Sequence, residues 1–372
     1  GMLMRGYTRE FAQRVFAQIE GFGEYGFPES HAASFALLVY VSCWLKRDHP
    51  DAFLAALLNA QPMGFYAPAQ LVRDAQDHGV VVHGVHINHS HWFTKLEPPD
   101  SHGAYGGNGG DGENGAERVS LWPVRLGIHM VAGLPEAAAL RLVHAREEDG
   151  CFESIQALAD RASLSKQELE ALAAANALSG LSAHRHDANW QAAGHERSHA
   201  FLAHAKSTEP ALAPDLLPAP SQAQDMVSDY ASLGLSLGTH PLSLLRPMLT
   251  QRFQSLSMAT LRNYPHGRLA RASGLVTHRQ RPSTAKGILF MTLEDETGRI
   301  NVVVWPDVLN RYRHPTLHGQ LITVYGRWQR DENIPRDAPG QVLNLLAMRI
   351  EDHTPLLAEA LGLLATESRD FR

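Results

Sequence analysis

Two cysteines in 372 residues, Cys43 and Cys151, are too few for a disulfide framework, which points to a reducing, cytoplasmic compartment. No charged-then-apolar leader opens the sequence, and Gly1 ahead of Met2 reads as an open end. The longest apolar run, Ala32 to Leu45, is broken by Ser34 and Ser42 and falls short of the ~20 residues a membrane span needs. It is expected to be a buried helix, not an anchor. A formal charge of −6 excludes a uniformly basic nucleic-acid binder. No repeat recurs at a fixed period of roughly 20–50 residues.

What is present is globular. With 44% apolar and 19% charged residues, the chain can build two or three domains, and the charge is unevenly spread. Between Gly267 and Ile350 twelve Arg/Lys stand against seven Asp/Glu, so a basic region of +5 lies in an otherwise acidic chain.

Phe11, Val15, Phe16 and Ile19 recur at helical spacing after a capping Thr8, with Gly21 expected to end the run. Pro50 and Pro68 suit the first turns of two more helices, where a missing N–H does no harm. Val80 to Ile87 is strand-like. Residues 101–115, S-H-G-A-Y-G-G-N-G-G-D-G-E-N-G, cannot bury enough apolar area to offset their ordering entropy and read as a flexible insertion. A second helical stretch runs from about Leu126 to Leu181, with Ser165 and Glu168 in capping-box spacing. A Pro/Ala-rich linker follows around Pro210 to Pro220.

Four histidines between Val82 and Trp92 raise the question of a metal. In an extended strand His83, His89 and His91 share a face and His86 points away, so only His89 and His91 are near enough to share an ion. No cysteine or carboxylate stands beside them, so no metal site is expected. The triplet Glu294-Asp295-Glu296, which tempts toward a two-metal site, precedes Thr297-Gly298 and reads as a solvated hairpin turn.

Three places can carry chemistry. Ser30 can cap the apolar helix, leaving a helix N-terminus with His31 beside it to face an anion. The segment V-A-G-L-P-E-A-A-A-L-R-L-V, Val131 to Val143, is a helix-hairpin-helix pattern, in which backbone N–H groups near Gly133 and Leu134 grip a phosphate without reading bases; Pro135 removes one donor. Five strand-like runs, Leu269–Thr277, Ile288–Leu293, Ile300–Trp305, Leu321–Trp328 and Val342–Ile350, with a short helix at Asp307–Tyr312, fit an OB-fold. On its face Arg279, Arg281, Lys286 and Arg327 are placed for phosphates, and Phe290, before Trp305, for base stacking.

These stretches carry a family resemblance. G-Y-T-R-E-F-A-Q-R-V-F-A-Q-I-E-G-F-G-E-Y-G-F-P-E-S-H (6–31), W-L-K (44–46) and N-A-Q-P-M-G-F-Y-A-P-A-Q-L-V-R-D-A (59–75) resemble the end of the fingers domain of the bacterial family C DNA polymerases. The error-prone, alpha-type branch of the damage-inducible mutagenesis cassette is the most similar. L-G-I-H-M-V-A-G-L-P-E-A-A-A-L-R-L-V (126–143) resembles its helix-hairpin-helix region, 274–306 its OB domain, and S-R-D-F-R (368–372) its C-terminus.

The resemblance implies a multi-domain α+β chain. Its parts are the fingers (1–98), the Gly-rich insertion (99–118), a helix-hairpin-helix region (119–205), a linker (206–266), an OB barrel of five strands (267–352) and a tail (353–372). It implies that Ser30 and His31 face the incoming nucleotide, and that the palm aspartates and their Mg lie elsewhere, so that this chain binds no cofactor and is inactive alone. Partners are single-stranded template, primer-template duplex and other proteins of the cassette. A sliding clamp is a weaker candidate through Gln222 to Val227, Q-A-Q-D-M-V, which lacks the usual closing aromatic. The alternative is a free-standing single-strand-binding or protein-interaction module; an enzyme with its own active site ranks third.

Overall fold

Proline at a first helical position and aliphatic side chains one turn apart set the pattern of the N-terminal half. A computed structural model describes residues 2, 5–25, 29–64, 66–98, 120–195, 217–330, 343–361 and 369–371. The Gly-rich insertion, 99–118, lies outside them. Helices α1 (Arg9–Tyr25) and α2 (Glu29–Asp48) lead into α3 (Pro50–Asn59) and α4 (Pro68–Asp77). The Phe11 amide donates to Thr8 Oγ1 at 3.3 Å, the expected cap, but α1 runs through Gly21 to Tyr25.

Leu54, Ala55 and Leu58 of α3 and Val72 and Ala75 of α4 enter one core. That core also holds a three-stranded sheet of β1 (Val82–His83), β2 (Lys95–Leu96) and β3 (Val124–Arg125), with β3 central. Around it wrap α5 (Glu136–Asp149), α6 (Ile155–Arg161), α7 (Lys166–Ala174) and α8 (Arg185–Ala193). The capping box at Ser165 and Glu168 forms as expected.

Two expectations are corrected here. The run Ala32 to Leu45 is helical but not buried within this chain: Leu37, Leu38, Val39, Tyr40 and Trp44 are all exposed. No helix among the described residues is long and apolar enough to cross a membrane. The interval 206–266, expected to be a linker, holds three helices from Gln222 on: α9 (Gln222–Leu233), α10 (Pro241–Phe253) and α11 (Met258–Arg262). Ser221 and Gln224 form a capping box that starts α9, a signal hidden behind the proline-rich stretch before it.

The C-terminal barrel follows the anticipated order. Its strands are β4 (Leu269–Gln280), β5 (Leu289–Asp295), β6 (Gly298–Val304), β7 (Leu321–Arg330) and β8 (Leu343–Asp352). Helices α12 (Pro306–Arg311) and α13 (Arg313–His318) lie between β6 and β7, and α14 (Thr354–Leu361) and β9 (Arg369–Phe371) follow. The order β5-β6-β8-β7-β4 closes through β4–β5 pairing, and β9 adds in parallel to the end of β4. This is the OB-type topology. Alternation along the strands sends Ala270, Ala272, Met291, Leu293, Val302, Val304, Val324 and Trp328 inward. A separate small core, with Met226, Leu242, Leu245, Leu249 and Leu357 against Leu275 and Leu321, fastens α9, α10 and α14 to the outside of β4 and β7.

Candidate nucleic-acid interface

The hairpin before α5 is built around Gly133. Val131 is buried, Ala132 and Gly133 are exposed, and Leu134 turns back into the core. Gly133 has φ +79°, a left-handed backbone that glycine adopts without a Cβ penalty. The Ala132 amide donates to Ser232 O at 2.8 Å, which ties the hairpin to the end of α9. The Leu134 amide donates to Val131 O at 3.3 Å and those of Ala138 and Ala139 to Pro135 O, which leaves the Gly133, Glu136 and Ala137 amides at the exposed turn.

Between α7 and α8 the same pattern returns. Leu178 is buried, Ser179 and Gly180 are exposed, Gly180 has φ +85°, and Leu181 packs against the core. The chain therefore presents two hairpins, with α5, α6 and α7 between them. The sequence reading missed the second; its signal was an aliphatic, a small residue, Gly and Leu in that order at both 131–134 and 178–181.

On the barrel, burial alternation decides which expected contacts are available. Phe290 points outward from β5 and is 38% exposed, beside Gln280 of β4 and Val303 of β6. Trp305, 51% exposed, caps the start of α12 one residue beyond β6. Arg281 and Lys286 are exposed in the β4–β5 connection, where Lys286 takes φ +49°. These four share one end of the β5–β6 face. Arg327 is exposed too, but on β7, which does not pair with β5, and it donates to Gly267 O at 3.0 Å.

Arg279 is a correction. It is 4% exposed, and its guanidinium donates to Thr316 O at 2.8 Å and to Gly319 O, closing the barrel end under α13. The cause is a bulge in β4 between Val276 and His278, which shifts the alternation by one and pairs Arg279 with the inward Met291.

The acidic triplet is not a solvated turn either. Asp295 is fully buried, accepts the Met258 amide at 2.9 Å and pairs with Arg246 at 2.7 Å; Glu296 takes the other arm of Arg246 at 2.6 Å. Glu294 meets Arg73. With every carboxylate claimed by an arginine, the triplet does not suit a two-metal site. Among the described residues no group of three or more His, Cys, Asp or Glu is placed to hold a metal.

The histidine cluster resolves into separate roles. β1 ends at His83 and a turn follows, so the extended geometry expected for Val80 to Ile87 does not hold. His83 Nδ1 lies 2.6 Å from Glu97, which also pairs with Arg125 at 2.7 Å. His86 and His89 come together, ring centroids 4.6 Å apart. Burial, then the neighbouring His89 and Arg125, push the His86 imidazole down to about 4, so it is neutral at working pH.

Gln222 to Val227 form the first turns of α9, with Met226 2% exposed in the small core. A clamp docking at this stretch would have to draw Met226 out of that core. The backbone of Ser30 and His31 occupies the first turn of α2, with Ser30 one residue inside the helix start; their side chains lie outside the described residues.

Residues 79–188, which span both hairpins, match the helix-hairpin-helix motif family, and residues 270–352 match the OB-fold nucleic acid binding domain. The whole chain is 51% identical over 377 aligned positions to an error-prone DNA polymerase of Burkholderia pseudomallei, covering 32% of that protein. It is 47% identical over 372 to one of Methylococcus capsulatus, covering 34%.

The chain matches a C-terminal part of the error-prone DNA polymerases. It spans about a third of the length of the curated relatives it matches. Within that alignment lie the helix-hairpin-helix region and the OB-fold nucleic acid binding domain in series, joined by α9 to α11.

Proposed function

We propose that this chain is the DNA-holding part of a damage-induced, translesion DNA polymerase of the cytoplasm. The two hairpins grip the primer-template duplex through backbone amides, and the Arg281–Lys286–Phe290–Trp305 end of the barrel holds single-stranded template. Ser30 and His31 face the incoming nucleotide. The carboxylates and Mg of nucleotidyl transfer belong to the rest of the longer protein, as do contacts with other proteins of the mutagenesis cassette. Full-length identity to polymerases three times as long, across both nucleic-acid units, is the observation that carries this reading. The exposed apolar side chains of α2 count against a free-standing module, since a surface of that kind is normally covered by protein.

The test is fluorescence anisotropy of the purified chain with a primer-template bearing a single-stranded overhang, alongside primer extension with Mg and deoxynucleotides. Binding that weakens steeply with salt, without extension, is expected. Absence of binding at low salt overturns DNA holding, and extension overturns the placement of catalysis elsewhere.

A further inference from the structure

The barrel has a second basic face that neither the hairpins nor the Phe290 end uses. Tyr325 points outward from β7 with Arg271 of β4 opposite on one side and Arg349 of β8 on the other. Each guanidinium carbon lies 5.2 Å from the ring centroid. Arg327, two residues along β7, and Arg268, at the start of β4, are exposed beside them. Arg252 of α10 borders the same area through Phe253, whose ring stacks on His353 at 3.9 Å.

The carboxylate at the centre of this group is Glu351, which pairs with Arg349 and accepts the Tyr325 hydroxyl at 2.9 Å. Among the described residues Arg252, Arg268, Arg271 and Arg327 make no ion pair. β7 and β8 are the two barrel strands that do not pair with β5, so this face lies round the barrel from Phe290.

We propose that the Arg271–Tyr325–Arg349 face is a second DNA-binding surface, one that takes the sugar–phosphate backbone and reads no base. Three features favour that ligand. The cations are all arginine, whose planar fork fits two phosphate oxygens, and none is lysine. Tyr325 has a guanidinium held against it from either neighbouring strand, so it is not a free stacking platform; it aligns two charges across two inter-strand spacings, roughly 10 Å. The exposed apolar side chains there, Leu269 and Met348, each stand next to an arginine, where a protein partner would be met by a continuous apolar centre. The inference rests on the DNA-holding reading above and extends it to a face that reading leaves unassigned.

The experiment is a salt titration of binding by the full chain to an about 20-nucleotide single strand and to a duplex of the same length. Arg271→Gln with Arg349→Gln should flatten the log–log salt slope by about 1.4 if the ligand is single-stranded, or about 1.8 if it is duplex. At 0.1 M salt the former corresponds to an approximately 25-fold loss. The paired Lys replacements should keep the slope, which separates lost charge from a damaged fold. Tyr325→Leu should weaken binding with the slope unchanged, because the charges remain but are no longer aligned.

If the glutamine pair binds both DNAs with wild-type affinity and slope while Phe290→Ala weakens single-strand binding, this face is not a DNA surface and the DNA-holding reading stands. If the wild-type chain binds neither DNA, both fail together.

Discussion

Arg73 on α4 and Glu294 on β5, 221 positions apart in the sequence, meet at 2.5 Å. Around that pair His240 lies 3.6 Å from the same carboxylate oxygen, Gln70 donates to Thr277 O at 3.3 Å, and Arg299 of β6 approaches Asp74 and Asp77 of α4. Burial alone would raise the Glu294 carboxyl. The approach of His240 and the charge of Arg73 outweigh it and hold Glu294 below the usual carboxylate range. Tyr230, lining the same small cavity, is pushed up to about 12 by burial and by Glu294, so it stays neutral. The barrel is thereby pinned to the end of the N-terminal helical unit by charge.

Removing one member leaves the other uncompensated. Arg73→Ala should destabilise the chain by on the order of 3 kcal/mol, and Arg73→Glu with Glu294→Arg should recover much of that loss. Chemical denaturation of wild type and the two variants checks it; a swap no better than the single replacement would show that the pair's surroundings, not its charges, hold the junction.

His86 contributes to the first acid step together with His91 and His353, which burial also pushes below an ordinary imidazole. Its folded value of about 4 lies below the 6.5 of an unperturbed imidazole, so between those limits the unfolded chain takes up a proton that the folded chain refuses. The stabilisation is therefore complete above pH 6.5 and is lost as pH falls toward 4. The ring is only half-buried, so about 1–2 kcal/mol is expected after screening. Glu97, Glu168, Glu294 and Glu296, all held below their ordinary 4.5, act only at lower pH. Melting temperatures of His86→Gln should vary less than those of wild type between pH 6.5 and 4.5; parallel curves would count against the assignment.

Both hairpin glycines should be needed for backbone reasons. A Cβ on Gly133 would meet nothing within 4 Å, and one on Gly180 only His86 at 3.8 Å, so the cost of alanine is conformational, about 1–2 kcal/mol. Gly133→Ala and Gly180→Ala should each weaken duplex binding to a similar degree whatever the DNA sequence, since backbone amides read no base. Equal affinities for Gly180→Ala and wild type would leave the first hairpin acting alone.

The barrel was legible because five strand-length runs rich in β-branched and aliphatic residues are separated by turn residues, and that pattern survives without tertiary information. The first hairpin was legible because Gly-Leu-Pro precedes an uninterrupted helix. The second was not, because Ser179 replaces Ala132, Ser182 replaces Pro135 and only two copies exist, which gives no period to detect. A bulge has no sequence signature of its own, so the side on which Arg279 lies was decided by an extra residue that only the pairing reveals. The buried state of Glu294 and Asp295 was equally hidden, since their partners Arg73 and Arg246 come from distant helices.

The barrel arginines should consequently separate by experiment. Arg279→Ala removes a buried guanidinium and strands the Thr316 and Gly319 carbonyls, so it should lower stability by about 3 kcal/mol or more and leave the salt slope of the surviving folded protein intact. Arg281→Gln with Lys286→Gln, both exposed, should leave melting unchanged and flatten the single-strand slope by about 1.4, at ~0.7 per phosphate. Phe290→Ala should cost single-strand binding about 1–3 kcal/mol at constant slope, because a stacked base contributes no counterion release. Its melting midpoint should barely move, since the ring stands on the outer face, whereas an inward phenylalanine lost from a core would take about 3–5 kcal/mol with it. A large drop in midpoint for Phe290→Ala together with unchanged affinity would reverse the assignment and make that ring a packing residue.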